Sequence, residues 1–299
     1  MLSSRSLFIG LFILVAFIAR PASAAAFRDA MGRTVILDGP PRRIVSLAPS
    51  ITEILYFLGL GERVAGVTQY STYPPAALDK PKVGSYVNLN IERIISLAPD
   101  LVIATVDGNS RSVVDTLEAA GIQVFTTNPR NLFEALDTIA LLGRVCGATR
   151  DGAAAAEALK VRAEDLAERV RALPRPKVFV QINLRPIMTV NRDTFLNDLI
   201  TLAGGANPFS EEPFAYPRIS LEEVIRQRPD VILVSSMDRG GRFEEARREW
   251  LRLEDIPAAR NGRVHLIDSD LVDRPSPRIV DGLEEAARFI HPEIPWERP

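Results

Sequence analysis

One recurring unit limits the architecture of this chain more than any other feature: a helix cap, a short helix, a Pro-Asp stop and an apolar strand. Asn90–Ile103 aligns without gaps on Ser220–Leu233, 130 positions further on. Glu92 falls on Glu222, and Pro99-Asp100 on Pro229-Asp230. Proline stops the helix because it lacks an N–H and disfavours the α region for the residue before it. The runs that follow, Leu101–Ala104 and Val231–Val234, are short, unbroken and apolar, as strands buried on both faces are. A weaker echo pairs Ile51–Gly61 with Phe195–Gly205. Two readings are open: a tandem pair of related lobes, or chance recurrence of a common helix-to-strand unit.

The rest of the chain repeats the alternation. Arg43–Leu47 reads as a buried strand, Ile51–Leu58 as a helix capped by Ser50 and stopped by Gly59 and Gly61, and Val64–Val67 as a strand. Asn90 caps a helix over Ile91–Leu97, Ser112–Ala120 is a helix ended by Gly121, and Ile122–Thr126 is a strand. Residues 149–173, rich in Ala, Glu, Leu and Arg, predict one long helix ended by Pro174 and Pro176. Strands then follow at Lys177–Gln181, Val231–Val234 and Val264–Ile267. The expected fold is α/β: two Rossmann-like lobes with mostly parallel sheets, residues 25–148 and 174–299, bridged by the long helix over residues 149–173, with a ligand cleft between them. A helical bridge is stiffer than crossing strands, so little hinge closure is expected.

Residues 1–24 carry Arg5, an apolar run over Leu7–Ala19 and the small-x-small ending Ala22-Ser23-Ala24, the layout of a secretory signal peptide. The run is shorter than the ~20 residues a membrane span needs. The single cysteine, Cys146, lies far from the cleavage point, so neither a lipid anchor there nor an internal disulfide is expected. Removing Arg5 and Arg20 with the leader takes the formal net charge from −2 to −4, and no basic block remains to meet nucleic acid.

Enzymatic motifs are missing. There is no nucleophile elbow, no phosphate-cradling glycine loop before a helix, and no HExxH. Gly204-Gly205 follows a helix and reads as its C-cap. Asp193 and Asp198 form no oriented acid pair. His265, in an apolar strand, reads as a core or edge histidine, and His291 lies before a proline near the C-terminus. Two histidines do not make the converging ligand set of a free-metal site.

The segment Arg43–Glu53 resembles the opening motif of the helical-backbone (class III) substrate-binding proteins, which serve importers of cobalamin, haem and iron-siderophores. Tyr70–Pro75, Asn90–Ile94, Pro99–Ala104 and Ser276–Ile279 make the chain similar to the cobalamin (vitamin B12) branch, across nearly its whole length after the leader. The resemblance implies a non-enzymatic, monomeric periplasmic protein without a resident cofactor. It would capture a corrinoid between its lobes and hand it to the permease dimer of an ABC importer in the inner membrane. A ferric-siderophore or haem binder of the same fold is the alternative.

By the same resemblance Tyr70, Tyr86 and Tyr216 are ligand walls, and Asp270 and Arg274 are polar ligand contacts at a strand's carboxyl end. Aromatic faces suit a flat macrocycle, and phenol hydroxyls reach its polar rim. Taken from the residues alone, each tyrosine also fits a loop covering a core edge, and Asp270–Arg274 also fits a surface ion pair. Glu92 and Glu222 match glutamates that dock into arginine pockets of the two permease subunits. Each also stands in the first turn of a helix, where a carboxylate is favoured regardless, and Ser220 with Glu223 fits a capping box. Thr105 and Leu271 stand where a well-known member has tryptophan, and Ile182 where it has phenylalanine. Fewer rings are thus available for stacking.

Overall fold

A computed structural model describes residues 24–236 and 242–296. The expected leader lies outside these residues apart from Ala24. The chain first makes an antiparallel hairpin of β1 (Ala25–Arg28) and β2 (Thr34–Leu37). Asp29 at its turn is buried and accepts hydrogen bonds from the Met31 and Arg33 amides (both 2.9 Å) and from Thr126 Oγ1 (2.6 Å). Burial opposes ionisation of this carboxyl, but the Arg33 and Thr126 bonds outweigh it and hold it below the ordinary aspartate range.

The first lobe follows as β3 (Ile44–Ser46), α1 (Pro49–Phe57), β4 (Val64–Val67), α2 (Ile91–Ser96), β5 (Leu101–Thr105), α3 (Arg111–Ala119) and β6 (Val124–Thr127). Its four strands are parallel in the order β4-β3-β5-β6. Two helices come next, α4 (Leu132–Val145) and α5 (Thr149–Val170). The second lobe holds β7 (Val178–Gln181), α6 (Phe195–Leu202), α7 (Leu221–Gln227), β8 (Val231–Ser236), α8 (Arg242–Leu251), α9 (Pro257–Arg260), β9 (Val264–Asp268), α10 (Ser269–Val272) and α11 (Ile279–Ile290). Its sheet is parallel, β7-β8-β9. Among the described residues no helix is long and apolar enough to cross a membrane.

The sequence repeat is a repeat of atomic detail. Asn90 Oδ1 accepts from the Arg93 amide at 2.7 Å, and Ser220 Oγ from the Glu223 amide at 3.1 Å. Both helices end on a residue at positive φ, Ala98 (43°) and Arg228 (51°), again 130 positions apart. Asp100 then receives the Arg43 amide at 2.9 Å, and Asp230 the Lys177 amide at 2.8 Å, just before β3 and β7 begin. Arg43 reaches back to the Leu97 carbonyl and Lys177 to the Gln227 carbonyl. One device, an aspartate fixing the start of the neighbouring strand, thus builds both sheets.

Three expectations change. α1 is capped from Ala48, without a side-chain bond, and Ser50 lies inside its first turn. Pro49 needs no N–H partner there, so the helix can start two residues sooner. The capping box at α7 is half made: Ser220 caps, but the Glu223 carboxylate turns to Arg226 and Gln227. Finally, the lobes are joined by two long helices where one was expected. α4 and α5 pack as a hairpin so closely that a Cβ on Gly143 would stand 2.9 Å from Gly152 Cα. One apolar core runs from α1 (Ile51) through α4 (Leu136) to α6 (Leu199), β8 (Leu233) and α11 (Leu283), so the hairpin packs on both lobes.

Candidate functional site

The carboxyl ends of the parallel strands of both lobes carry the residues singled out above, and local bonding explains how. In the first lobe β3 and β5 end beside one buried side chain, Asn109. Its Oδ1 accepts from the Thr105 amide (2.9 Å), and its Nδ2 donates to the carbonyls of Leu47 (3.2 Å) and Tyr86 (3.0 Å). The Tyr86 loop is thereby tied to two strand ends. The Tyr86 ring lies flat on Gly108, where an added Cβ would come within 1.8 Å of Cζ. Thr105 acts on the Tyr86 hydroxyl and opposes the rise in its pKa.

Tyr216 comes from the loop before α7 in the second lobe and is about half exposed. Burial pushes the Tyr86 hydroxyl up to about 12, with Asp107 and Tyr216 adding to it against Thr105. Burial, then Asp107 and Asp273, raises Tyr216. A residue of the first lobe, Asp107, therefore acts on a tyrosine of each lobe. Tyr70 is exposed beyond β4, beside Tyr73, which the sequence reading did not single out.

Asp270 and Arg274 are brought together, Oδ1 to NH2 at 2.8 Å, but they are not an isolated surface pair. Arg274 NH1 also reaches Glu53 Oε1 at 3.2 Å. Arg278 donates twice to Glu53, from Nε to Oε2 and from NH2 to Oε1, both at 2.9 Å. Glu53 is on α1 of the first lobe and 3% exposed, so this cluster crosses between the lobes. The Arg278 guanidinium lies 3.9 Å from the Tyr73 ring centroid. Glu53 was legible in principle: it interrupts the apolar face Ile51, Ile54, Leu55, Leu58, and an acid there demands a partner.

Asp273 is a further cleft group absent from the sequence reading. Ser235 at the end of β8 donates to its Oδ2 at 3.0 Å. Burial pushes its carboxyl up to about 6; Ser235 and Arg274 oppose that, and Asp270 and Asp268 reinforce it.

Glu92 and Glu222 are both exposed, at the second position of α2 and of α7. No hydrogen bond or ion pair among the described residues engages either carboxylate, because Asn90 and Ser220 do the capping. Asp198 joins no acid pair with Asp193. Its Oδ2 accepts from the Leu132 amide at 2.8 Å and links α6 to α4. His265 stacks on Phe289 with centroids 4.4 Å apart, and buried His291 meets Glu293 at 2.8 Å. Burial pushes the Cys146 thiol up to about 12. Among the described residues no group of three or more His, Cys, Asp or Glu is placed to hold a metal ion. Two surface cavities lie away from the tyrosines: about 310 Å³ beside Arg162 and Glu284, and about 380 Å³ beside Thr126 and Arg144.

Comparison with known proteins agrees with this architecture. The family described as periplasmic binding protein matches residues 44–271. A vitamin B12-binding protein of Vibrio campbellii is 34% identical over 255 residues, 85% of this chain and 90% of the relative. The crystal structure of the periplasmic vitamin B12 binding protein BtuF of Vibrio cholerae superposes with a TM-score of 0.73 at 31% identity, covering 84% of this chain and 97% of that one. The periplasmic haem-binding protein RhuT of Roseiflexus sp. RS-1, in apo form, gives 0.75 at 29%, covering 84% and 98%. With its two parallel-sheet lobes, its helical spine and these relatives, the chain belongs to the class III periplasmic substrate-binding proteins, binding proteins rather than enzymes, and is related to the vitamin B12-binding proteins.

Proposed function

We propose that this protein captures cobalamin or a related corrinoid between its lobes and delivers it to the permease dimer of an ABC importer. The observation that carries the reading is the pair Tyr86 and Tyr216, one from each lobe, both raised by burial and next by the charge of one carboxylate, Asp107. Two phenols on opposite walls present apolar ring area to a flat macrocycle and hydroxyls to its amide edge. Tyr70, Asp270 and Arg274 complete the ligand set. The relatives named as vitamin B12-binding proteins support the same reading. In it, residues 25–148 and 174–299 supply the two walls, residues 149–173 bridge them, and the protein acts as a monomer.

Glu92 and Glu222 are the permease contacts. Two exposed acids without internal partners, at equivalent positions of two related lobes, suit a transporter with two equivalent subunits, because charge complementarity fixes orientation. A haem ligand is the second reading, favoured by the likeness to RhuT, which matches the fold as closely as the corrinoid binder does.

Spectral titration separates these. Addition of protein to cyanocobalamin shifts the corrinoid absorption bands and saturates. A Soret shift with hemin, or fluorescence quenching by a ferric siderophore, without a corrinoid shift, overturns the assignment.

A further inference from the structure

Four hydroxyl side chains meet where β3 and β4 end, and all four are fully buried: Ser46, Thr52, Thr68 and Ser71. Ser46, the last residue of β3, holds its Oγ 2.8 Å from Thr52 Oγ1 and 3.0 Å from the Ala48 carbonyl. Thr52, the fourth residue of α1, donates to Ser71 Oγ at 2.9 Å. Ser71 Oγ in turn lies 3.1 Å from Thr68 Oγ1. The chain of hydroxyls therefore starts in the sheet, passes through α1 and ends on both sides of Tyr70. Its neighbours Val45, Leu47, Ile51 and Val67 are buried and apolar, so packing alone could be met by apolar side chains. Buried hydroxyls give up their hydration and gain bonds of fixed distance and direction in return. Tyr70 itself is half exposed, and among the described residues no hydrogen bond or ring contact holds its side chain. Its place is set through the backbone, where the Gln69 amide donates to Gly84 (2.9 Å) and the Ser71 amide to Thr68 (3.1 Å).

We infer that Thr52 is a positioning residue for the ligand wall: as the middle link of this chain it fixes the turn Thr68–Ser71, and with it the direction in which Tyr70 leaves the fold. That Tyr70 meets the ligand rests on the proposed function; that Thr52 fixes the turn does not. A ring held in place before the ligand arrives loses little freedom on binding, whereas a loose one must be ordered at the expense of affinity. Without the Thr52 hydroxyl, Ser46 keeps the Ala48 carbonyl and Ser71 keeps Thr68, so the two ends stay satisfied and only the link between them is lost. The turn then keeps its own bonds but not its tie to α1. The device bears on how firmly a ligand is held, and it makes no choice between macrocycles.

The test is a double-mutant cycle on the purified protein, with cyanocobalamin as the probe and thermal melting to show that each variant folds. Thr52→Val keeps the shape of the side chain and removes the hydroxyl. It lowers cyanocobalamin affinity by about 3- to 10-fold in wild type, and by less than ~1.5-fold in the Tyr70→Ala background, where no ring is left to misplace. Thr52→Ser keeps the hydroxyl and binds within ~2-fold of wild type. Equal losses with and without Tyr70, or wild-type affinity in Thr52→Val, overturn the inference. Amide hydrogen exchange gives a readout that needs no ligand. Thr52→Val speeds exchange at Gln69 and Ser71 by about 10-fold and leaves Thr105, held separately by Asn109, unchanged. Exchange that rises equally at Thr105, or at none of the three, overturns it too. Where Thr52→Val does not fold, Ser71→Ala cuts the chain at its loop end and gives the same pattern in the cycle; a loss independent of Tyr70 contradicts the inference. Failure of wild type to bind cyanocobalamin sinks the corrinoid reading alone, since the exchange comparison still decides the role of Thr52.

Discussion

Tyr86 owes its position to two neighbours. Asn109 holds the loop carbonyl, and Gly108 supplies the bare backbone on which the ring rests. Gly108→Ala therefore dislodges the ring, and since the tyrosine is only half buried it can swing outward with little effect on folding. Cyanocobalamin affinity should fall at least ~10-fold while the melting temperature moves by a few degrees at most. Titration and thermal melting of one preparation check both. Asp273 gives a second prediction. Its folded pKa, about 6, lies above the ordinary aspartate value of 3.8, so the folded state holds a proton that the unfolded chain has released. Such a group costs no stability below pH 4, costs progressively more between about 4 and 6, and levels off above. Asp273→Asn should stabilise the protein by about 1–3 kcal/mol at pH 7, and the gain should vanish at pH 4. Melting curves across that range decide it. The residues themselves differ in how far sequence announces them. Tyr70 sits in a motif segment, and Tyr86, Tyr216, Asp270 and Arg274 are carried over position by position only through the resemblance. Asp273 and Asn109 cannot be read in either way, because what makes them matter, Ser235 for the first and the end of β3 for the second, lies 38 and 62 residues away.

Among the elements, those with local stop signals are read off the chain to within a few residues. α2 with β5 and α7 with β8 carry a cap, a Pro-Asp stop and an apolar strand, and the structure adds only the bond from each aspartate to the next strand's start. α4 was not expected. Its period is nonetheless legible, since Glu134, Asp137 and Arg144 stand exposed at helical spacing opposite the buried Leu132, Leu136, Ile139 and Leu142. The β1–β2 hairpin escaped because its anchor, the Asp29 contact with Thr126, spans 97 residues. The spine makes its own prediction. Gly143 and Gly152 let α4 and α5 touch, so Gly143→Val must push the helices apart. Overpacking of this kind costs about 1–3 kcal/mol. The melting temperature should drop by several degrees, and an unchanged value would mean the pair is looser than its geometry implies.

At the scale of the whole molecule, the repeated unit accounts for the likeness of the two lobes, and the proposed docking face builds on it. Two lobes built by one device present like acids, Glu92 and Glu222, outward at equivalent positions. Reversing both charges, Glu92→Lys with Glu222→Lys, should abolish corrinoid uptake by cells while leaving the affinity of the purified protein within ~2-fold of wild type. Uptake at the wild-type rate would remove these residues from the transporter contact. The helical hairpin and the Glu53 cluster both connect the lobes, so ligand entry should involve little closure. The central claim, a corrinoid held between two walls, is tested most directly by calorimetry with cyanocobalamin on wild type and on the Tyr86→Ala, Tyr216→Ala double variant. The account predicts a saturable one-to-one heat for wild type and a loss of at least ~10-fold in affinity for the double variant. No saturable heat in wild type, or equal affinity in the two proteins, would contradict it.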